Sequence, residues 1–596
     1  MKSDLTYLGL VINVNSASVE VEVAKEIPSA APIINGRMYR IGQIGTLVRI
    51  VLGNLNLYGL VASVSNLPSN PDALSIEPNC GSMFLQVQLI GEKIGGMKFE
   101  RGVGAFPTVN DEVHIVTEED LKDIYGEYEE GLIEIGKHSS SENLSVFVDL
   151  HNLVLRHSAI LGSTGSGKSN ATAHIIKKIL NDKPGSRIVL VDIHGEYASA
   201  FEGKANIFRI NHSDNQLYIP FWTMTFDELA FFLVGRPVGQ ERTEDKRLRE
   251  EIVRAKKENA NKLGAGGVES DFITADSPIP FDIRKMWYEF NREVNATYKD
   301  GSNQNRETEE LVNEGEPQKL IPAAFKAYKM GNVAPYKSKN EMMYAYEKKI
   351  YSRLKDSRFD FILNPGKFYN AEGENDIDRL LREWIDHENR LTILDLSGVP
   401  FELIDLSVGL LTRLIFDSMF WGRSEKYTGR NRPLLMVYEE AHAYLPKGEG
   451  SSHIYGYARK SVERIFKEGR KFGIGAMVVT QRPSEISETI LAQVGTFIAL
   501  RLTNSSDQGT IKSAAPNNII NIIDLLTSLR IGEAIVVGEA IKDPSRVRIQ
   551  LVEPRPSSND PKLVECWSNK FKSSDSNYKK IVTAWREEKH IKNKGV

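Results

Sequence analysis

One octapeptide constrains this chain more than any other feature. Residues 162–169 read Gly162-Ser163-Thr164-Gly165-Ser166-Gly167-Lys168-Ser169, which matches the phosphate-loop pattern at every defined position. The apolar run Ser158-Ala159-Ile160-Leu161 precedes it, and residues 170–180 follow with Ala173, Ile176 and Leu180 on one helical face. The loop is therefore predicted to join a strand to a helix. The residue types carry the chemistry. Glycines let the backbone wrap closely round phosphate, and the loop N–H groups and helix N-terminus cradle the anion. Lys168 neutralises β- and γ-phosphate charge, while the Ser169 hydroxyl can ligate Mg²⁺. These eight residues and Asn170 form the candidate nucleotide-binding stretch, with ATP and Mg²⁺ as the implied cofactors.

Hydrolysis also needs a metal shell and a water activator. Leu434-Leu435-Met436-Val437-Tyr438-Glu439-Glu440 is an apolar run ending in two adjacent carboxylates. Glu439 is assigned to the metal and Glu440 to water activation. The alternative is a solvated strand end, and Glu stands at the first position where Asp is commoner. Gln481 follows the run 475–479 and is placed to sense the γ-phosphate or orient water. Asp192, His194 and Glu196 stand at the tip of another predicted strand, where no metal is required and a lone histidine is more often structural. Arg470 follows a basic helix that closes at Gly469. It reads either as a solvated basic face or as an arginine finger reaching a neighbouring subunit's nucleotide, with Arg464 as second choice.

The surrounding pattern divides the chain. From residue 1 to 116 the apolar residues alternate with period two, as in Ser18-Val19-Glu20-Val21-Glu22-Val23, and predict a small β-barrel. Residues 117–150 are acidic and turn-rich and read as a connector. Apolar runs at 158–161, 187–191, 391–396, 434–437, 475–479, 496–500 and 534–537 alternate with helices. This is α/β texture with a largely parallel sheet, assigned to residues 151–224 and 383–553. Residues 225–382 interrupt it as a helical insertion, with polar stretches 264–277 and 300–318 expected as loops. Residues 554–596 form a separate tail.

At 596 residues the chain has room for two to four domains of about 150 residues. Lys plus Arg number 75 against 79 acidic residues, a net charge of −4, so any nucleic-acid contact must come from a local basic surface. Lys447, Arg459 and Lys460 are candidates, each equally readable as a solvated loop residue. The two cysteines, Cys80 and Cys566, exclude a disulfide scaffold and a structural zinc site. No run approaches the ~18 apolar residues of a membrane span, and the start of the chain alternates unlike a signal peptide. A cytoplasmic protein without membrane contact is expected.

The motifs GSTGSGKS, VDIHGEY, LTILDLSGVP, MVYEEAHAYLP, EGRKFGIG, TQRPSEI and GEAIVVGEAIKDPSRV, in that order after a period-two region, resemble the HerA branch of the HerA/FtsK ring ATPases. The resemblance implies a RecA-like P-loop core with an N-terminal β-barrel and a helical insertion, assembled as a homohexamer. ATP sites would lie between subunits, and double-stranded DNA would pass through the pore. By position, Lys168 and Ser169 match the Walker A pair, Glu439 and Glu440 the Walker B pair, Gln481 the sensor, and Arg470 or a nearby arginine the trans-acting finger. The tail resembles the brace by which such subunits clasp neighbours. Such proteins work with a separate effector: a NurA-type nuclease in DNA end resection, or a sirtuin-like NAD-consuming or endonuclease-like protein in phage defence. The abundance of Asn and Ser over a Lys/Glu excess leans toward defence. A DNA translocase is the first expectation, and a nucleotide-switched ring scaffold that activates an effector is the alternative.

Overall fold

Strands buried on both faces organise the computed structural model, which explains why they read as unbroken apolar runs. It describes residues 5–586 except 16–17, 26–31, 35–36, 40, 67–82, 126–128, 140, 211–214, 236–241, 264–268, 332, 371–374, 449–455, 515–522, 558–562 and 569–574. Cys80 lies outside the described residues. Eleven strands form the main sheet. Seven are parallel, in the spatial order Thr496–Leu500, Ser158–Leu161, Ile474–Thr480, Leu434–Tyr438, Ile188–Asp192, Leu391–Asp395 and Asn206–Arg209. Successive side chains alternate between two cores. Ala159, Leu161, Val189 and Val191 pack with Leu410, Ile415, Val462 and Phe466, whereas Ile160 and Leu190 pack with Ile175, Ile176 and Ile179. The Lys168–Asp182 helix thus covers one face, and the Phe401–Trp421 and Tyr457–Glu468 helices cover the other. This is the α/β arrangement that the apolar runs predicted and that the family resemblance implied as a RecA-like core.

The N-terminal strands close on themselves. Ser18–Val23, Tyr7–Asn15, Glu112–Ile115, Leu47–Leu52, Leu55–Ser65 and Phe84–Ile94 pair in that order, and the last pairs back with the first. Val11, Val21, Ile50, Leu57, Val61, Leu85, Val87 and Val113 are fully buried inside this six-stranded barrel. The alternation read in the sequence is the inward and outward period of a closed barrel wall.

Two stretches differ from expectation. Residues 117–150 are folded rather than a plain connector: a Glu118–Tyr125 helix leads into a hairpin, Leu132–His138 and Ser141–Asp149, that extends the main sheet through Ser545–Arg548. Buried Ile133, Ile135, Val146 and Val148 drive it. In the insertion, the helices Thr243–Leu263, Ile283–Asn295 and Tyr344–Lys355 are accompanied by short antiparallel pairs, one of which, Leu311–Asn313 with Ala324–Phe325, lies partly in the stretch expected as loop.

The barrel meets the sheet at a seam built round Asp543, which is 1% exposed. The Tyr125 hydroxyl donates to it at 3.5 Å, and Arg101 of the barrel region donates to the Gly538 carbonyl at 3.1 Å. Burial pushes the Asp543 carboxyl up to about 8, against the opposing pull of Arg101. An unfolded aspartate titrates near about 3.9. Between that value and about 8 the unfolded chain releases a proton that the folded chain keeps, so this group's contribution falls as pH rises through the window. Asp543→Asn is expected to raise the melting temperature by a few degrees at pH 8, with the gain shrinking toward pH 5. A difference independent of pH would contradict this.

Candidate nucleotide site

The site lies at the C-terminal edge of the parallel strands, where α/β sheets hold their ligands. The Ser158–Leu161 strand runs between Ile474–Thr480 and Thr496–Leu500, so the loop leaving it emerges between Gln481 and Arg501. The Gly162 N–H donates to the Thr480 carbonyl at 3.3 Å, and the Ser163 N–H and hydroxyl both donate to the Arg501 carbonyl at 2.9 Å. Gly165 and Gly167 take φ of 73° and 104°, a region that a Cβ disfavours, and they turn the chain into the Lys168–Asp182 helix. Lys168 is buried, its Nζ 3.5 Å from the Ser163 carbonyl, so the ammonium folds back over the loop. The Thr164 hydroxyl donates to Gln481 Oε1, which ties the neighbouring strand tip to the phosphate loop.

The two adjacent carboxylates are held differently. Glu439 is 1% exposed and accepts the Tyr197 hydroxyl at 2.6 Å. Burial pushes its pKa well above the usual carboxylate range despite that bond, and the charges of Glu440, Asp192 and Glu196 push the same way. Glu440 adopts φ 45°, a left-handed conformation that is costly for a side chain and tends to occur at functional sites. Burial alone would raise its pKa, but His442, Lys168 and His194 overcome that and hold it below the ordinary value. Its Oε2 lies 3.2 Å from His442 Nδ1, at ion-pair distance but outside hydrogen-bonding geometry. Glu440 is thus a carboxylate whose charged form is favoured by its neighbours, at the strand end beside the phosphate loop.

The turn after the Ile188–Asp192 strand completes the site. Asp192 accepts the backbone N–H groups of His194, Gly195 and Tyr197 at 3.2, 2.8 and 3.0 Å. Burial, with the nearby charge of Asp395, raises it to about 6, the Tyr197 and Gly195 hydrogen bonds acting against the rise. Its carboxyl therefore shapes the turn that presents Glu196 and Tyr197, while the His194 side chain is exposed. Glu196 Oε2 accepts the Ser169 hydroxyl at 2.9 Å. Sequence reasoning put Glu196 at the strand tip without a chemical role and missed Tyr197 and His442. Adjacency to the acidic strand end was the only signal for His442, and the partner of Tyr197 is 242 residues away. The Ser169 hydroxyl and the Glu439 carboxyl are the oxygen groups that would hold a hard divalent cation such as Mg²⁺, which takes few protein ligands beside phosphate and water.

Other sequence-predicted residues stand elsewhere. The Asn170 side chain does not face the loop: it donates to the Gln550 carbonyl and accepts the Val552 N–H, both at 3.0 Å, and so anchors the chain end across the helix. Arg470 follows the Tyr457–Glu468 helix and precedes the Ile474–Thr480 strand. It is therefore at the opposite edge of the sheet from its own phosphate loop, about 20 Å away at the usual strand rise. Its side chain is exposed, with no hydrogen bond or ion pair among the described residues, while its carbonyl accepts the Gly473 N–H at 3.4 Å. Arg464 is occupied, packed over Phe416 at 4.2 Å and 3.5 Å from Asp417. Lys447 pairs with Glu488 at 2.6 Å and Arg459 donates to the Pro446 carbonyl at 3.3 Å, whereas Lys460 is exposed.

Residues 133–415 match the family model described as Helicase HerA, central domain, and residues 427–578 match Helicase HerA-like C-terminal. The chain is similar to the DNA double-strand break repair helicase HerA of Sulfolobus acidocaldarius, 29% identical over 464 residues and 77% of each chain. The protein of the same name from Pyrococcus furiosus is 28% identical over 515 residues, 80% of this chain and 82% of that one. Among solved structures, VirB4 of Thermoanaerobacter pseudethanolicus aligns over 72% of this chain and 98% of its own, at 14% identity and a TM-score of 0.43. No helix among the described residues is long and apolar enough to cross a membrane. The first matched region holds the phosphate loop and the Asp192–Tyr197 turn, the second holds Glu439, Glu440, Arg470 and Gln481, and the chain belongs to the HerA family of P-loop ATPases.

Proposed function

We propose that this chain forms a homohexameric ring that hydrolyses Mg²⁺-ATP to move double-stranded DNA, and that it acts in the cytoplasm with a separate effector protein. One observation carries the reading: the residues assigned to the site fall at two opposite edges of the sheet. Phosphate loop, carboxylates and sensor amide converge on one edge of the sheet, while the exposed Arg470 stands at the other, beyond reach of its own nucleotide. A head-to-tail contact between copies brings the two together, and repeated contacts of that kind close a ring. In this arrangement Lys168 and the loop amides bind the phosphates, Ser169 and Glu439 hold Mg²⁺, Glu440 draws a proton from water, and the neighbour's Arg470 stabilises charge on the transferred phosphoryl group. The tail helices Leu563–Ser568 and Asp575–Arg586 expose Trp567, Tyr578 and Trp585, which suits a brace on an adjacent subunit.

DNA as the substrate is supported by the relatives, which are named as DNA double-strand break repair helicases. Those names favour a second setting for the same motor, DNA double-strand break repair, in which a NurA-type nuclease would be the effector that the family resemblance implies. The first setting is phage defence with a sirtuin-like or endonuclease-like effector. Displacement of a third strand from a linear duplex tests the motor: ATP should drive release by the native chain and not by Glu440→Gln. Affinity for the duplex should fall steeply with salt, because phosphate contacts release counterions. A chain that binds no duplex DNA at low salt contradicts the proposal and leaves the ring as a nucleotide-switched scaffold.

A further inference from the structure

We propose that Glu196 is the positioning residue for Ser169: it accepts the hydrogen bond that the Ser169 hydroxyl donates, so that a lone pair of that hydroxyl would face a nucleotide-bound Mg²⁺, and it thereby sets the metal dependence of nucleotide binding. The inference rests on the reading of Ser169 as a metal ligand. A serine hydroxyl has one proton and two acceptor lone pairs. To offer a lone pair to a cation in a fixed direction, it must donate its proton in another. The acceptor in this chain is Glu196 Oε2, 2.9 Å from Ser169 Oγ. At the acidic strand end, Glu439 is 1% exposed and one of its oxygens takes the Tyr197 hydroxyl at 2.6 Å, so that oxygen does not serve Ser169.

Glu196 is held for this task from both sides. Upstream, Asp192 gathers the N–H groups of His194, Gly195 and Tyr197 into one turn. Downstream, the Ser557 N–H donates to the Glu196 carbonyl at 2.7 Å and the Ser557 hydroxyl meets Ser199 Oγ at 2.7 Å. The backbone is therefore pinned, and the half-buried carboxylate has Ser169 as its side-chain hydrogen-bond partner among the described residues. A partner of a ligand, held in this way, fixes that ligand's orientation without binding the ion itself.

The test is binding of a fluorescent ATP analogue to the purified full chain, titrated with Mg²⁺ and repeated in excess EDTA. Glu196→Ala is expected to raise the half-saturating Mg²⁺ concentration by about tenfold, with affinity in EDTA and melting temperature unchanged. Glu196→Gln, which keeps an acceptor oxygen, should restore most of the difference. Ser169→Ala should show the same Mg²⁺ defect, and adding Glu196→Ala to it should cost nothing more, since the two act as one unit. An unchanged Mg²⁺ titration overturns the proposal, as does an equal loss in EDTA, which would mark Glu196 as purely structural. A native chain with no Mg²⁺ dependence would instead overturn the assignment of Ser169.

Discussion

Glu440→Gln is expected to leave ATP bound and to lower turnover by about two to four orders of magnitude, the range that a positioned general base supplies. The substitution keeps the volume and the strained φ of 45° but removes the charge that His442 and Lys168 hold in place. Binding depends on a different set of atoms: the loop amides, Lys168 and Ser169. The two readouts should therefore separate, with nucleotide affinity near native and single-turnover hydrolysis slow. Hydrolysis at the native rate would remove Glu440 from the mechanism, and lost binding would show that its charge serves the fold of the site. The contrast with Glu439 sharpens the point. Its carboxyl is buried under Tyr197, so Glu439→Gln should disturb metal binding and the local fold before it disturbs water activation.

The second large effect concerns Arg470. Arg470→Ala should abolish most hydrolysis, since a trans-acting arginine is worth about 10³ to 10⁵ in rate. Lys168→Ala should do so through lost phosphate binding. Mixing the two inactive chains should restore activity. An intact phosphate loop on the Arg470→Ala chain then faces an intact arginine on the Lys168→Ala chain, and at random 1:1 mixing about a quarter of head-to-tail contacts are complete. The geometry demands this outcome if Arg470 acts at all, because it stands at the far edge of the sheet from its own loop. No recovery on mixing would show that Arg470 is a solvated basic residue. Arg464, committed to Phe416 and Asp417, would be a poor replacement.

The sequence made visible whatever is local and periodic. The loop from Gly162 to Ser169, the seven apolar runs of the sheet and the barrel's period-two strands all lie where their patterns placed them, because backbone geometry and two-sided burial act within a few residues. It hid whatever depends on distant partners. Asn170 looks like part of the phosphate loop, yet its amide is spent on Gln550 and Val552, more than 370 residues along the chain. Glu196 and Tyr197 read as a polar strand tip until the fold brings them to Ser169 and Glu439. The hairpin within 117–150 was legible in principle, since Ile133 and Ile135 alternate with polar residues, but the acidic turns flanking it dominated the composition. Its place in the main sheet depends on pairing with Ser545–Arg548, which no local pattern encodes.

The central claim, a DNA motor driven by this site, is tested most directly by the ATP hydrolysis rate with and without linear duplex DNA at low salt, for the native chain beside Glu440→Gln. Strong stimulation by DNA in the native chain, absent in the variant, is the predicted result. Hydrolysis indifferent to DNA would contradict the claim and assign the ring's turnover to a partner protein instead.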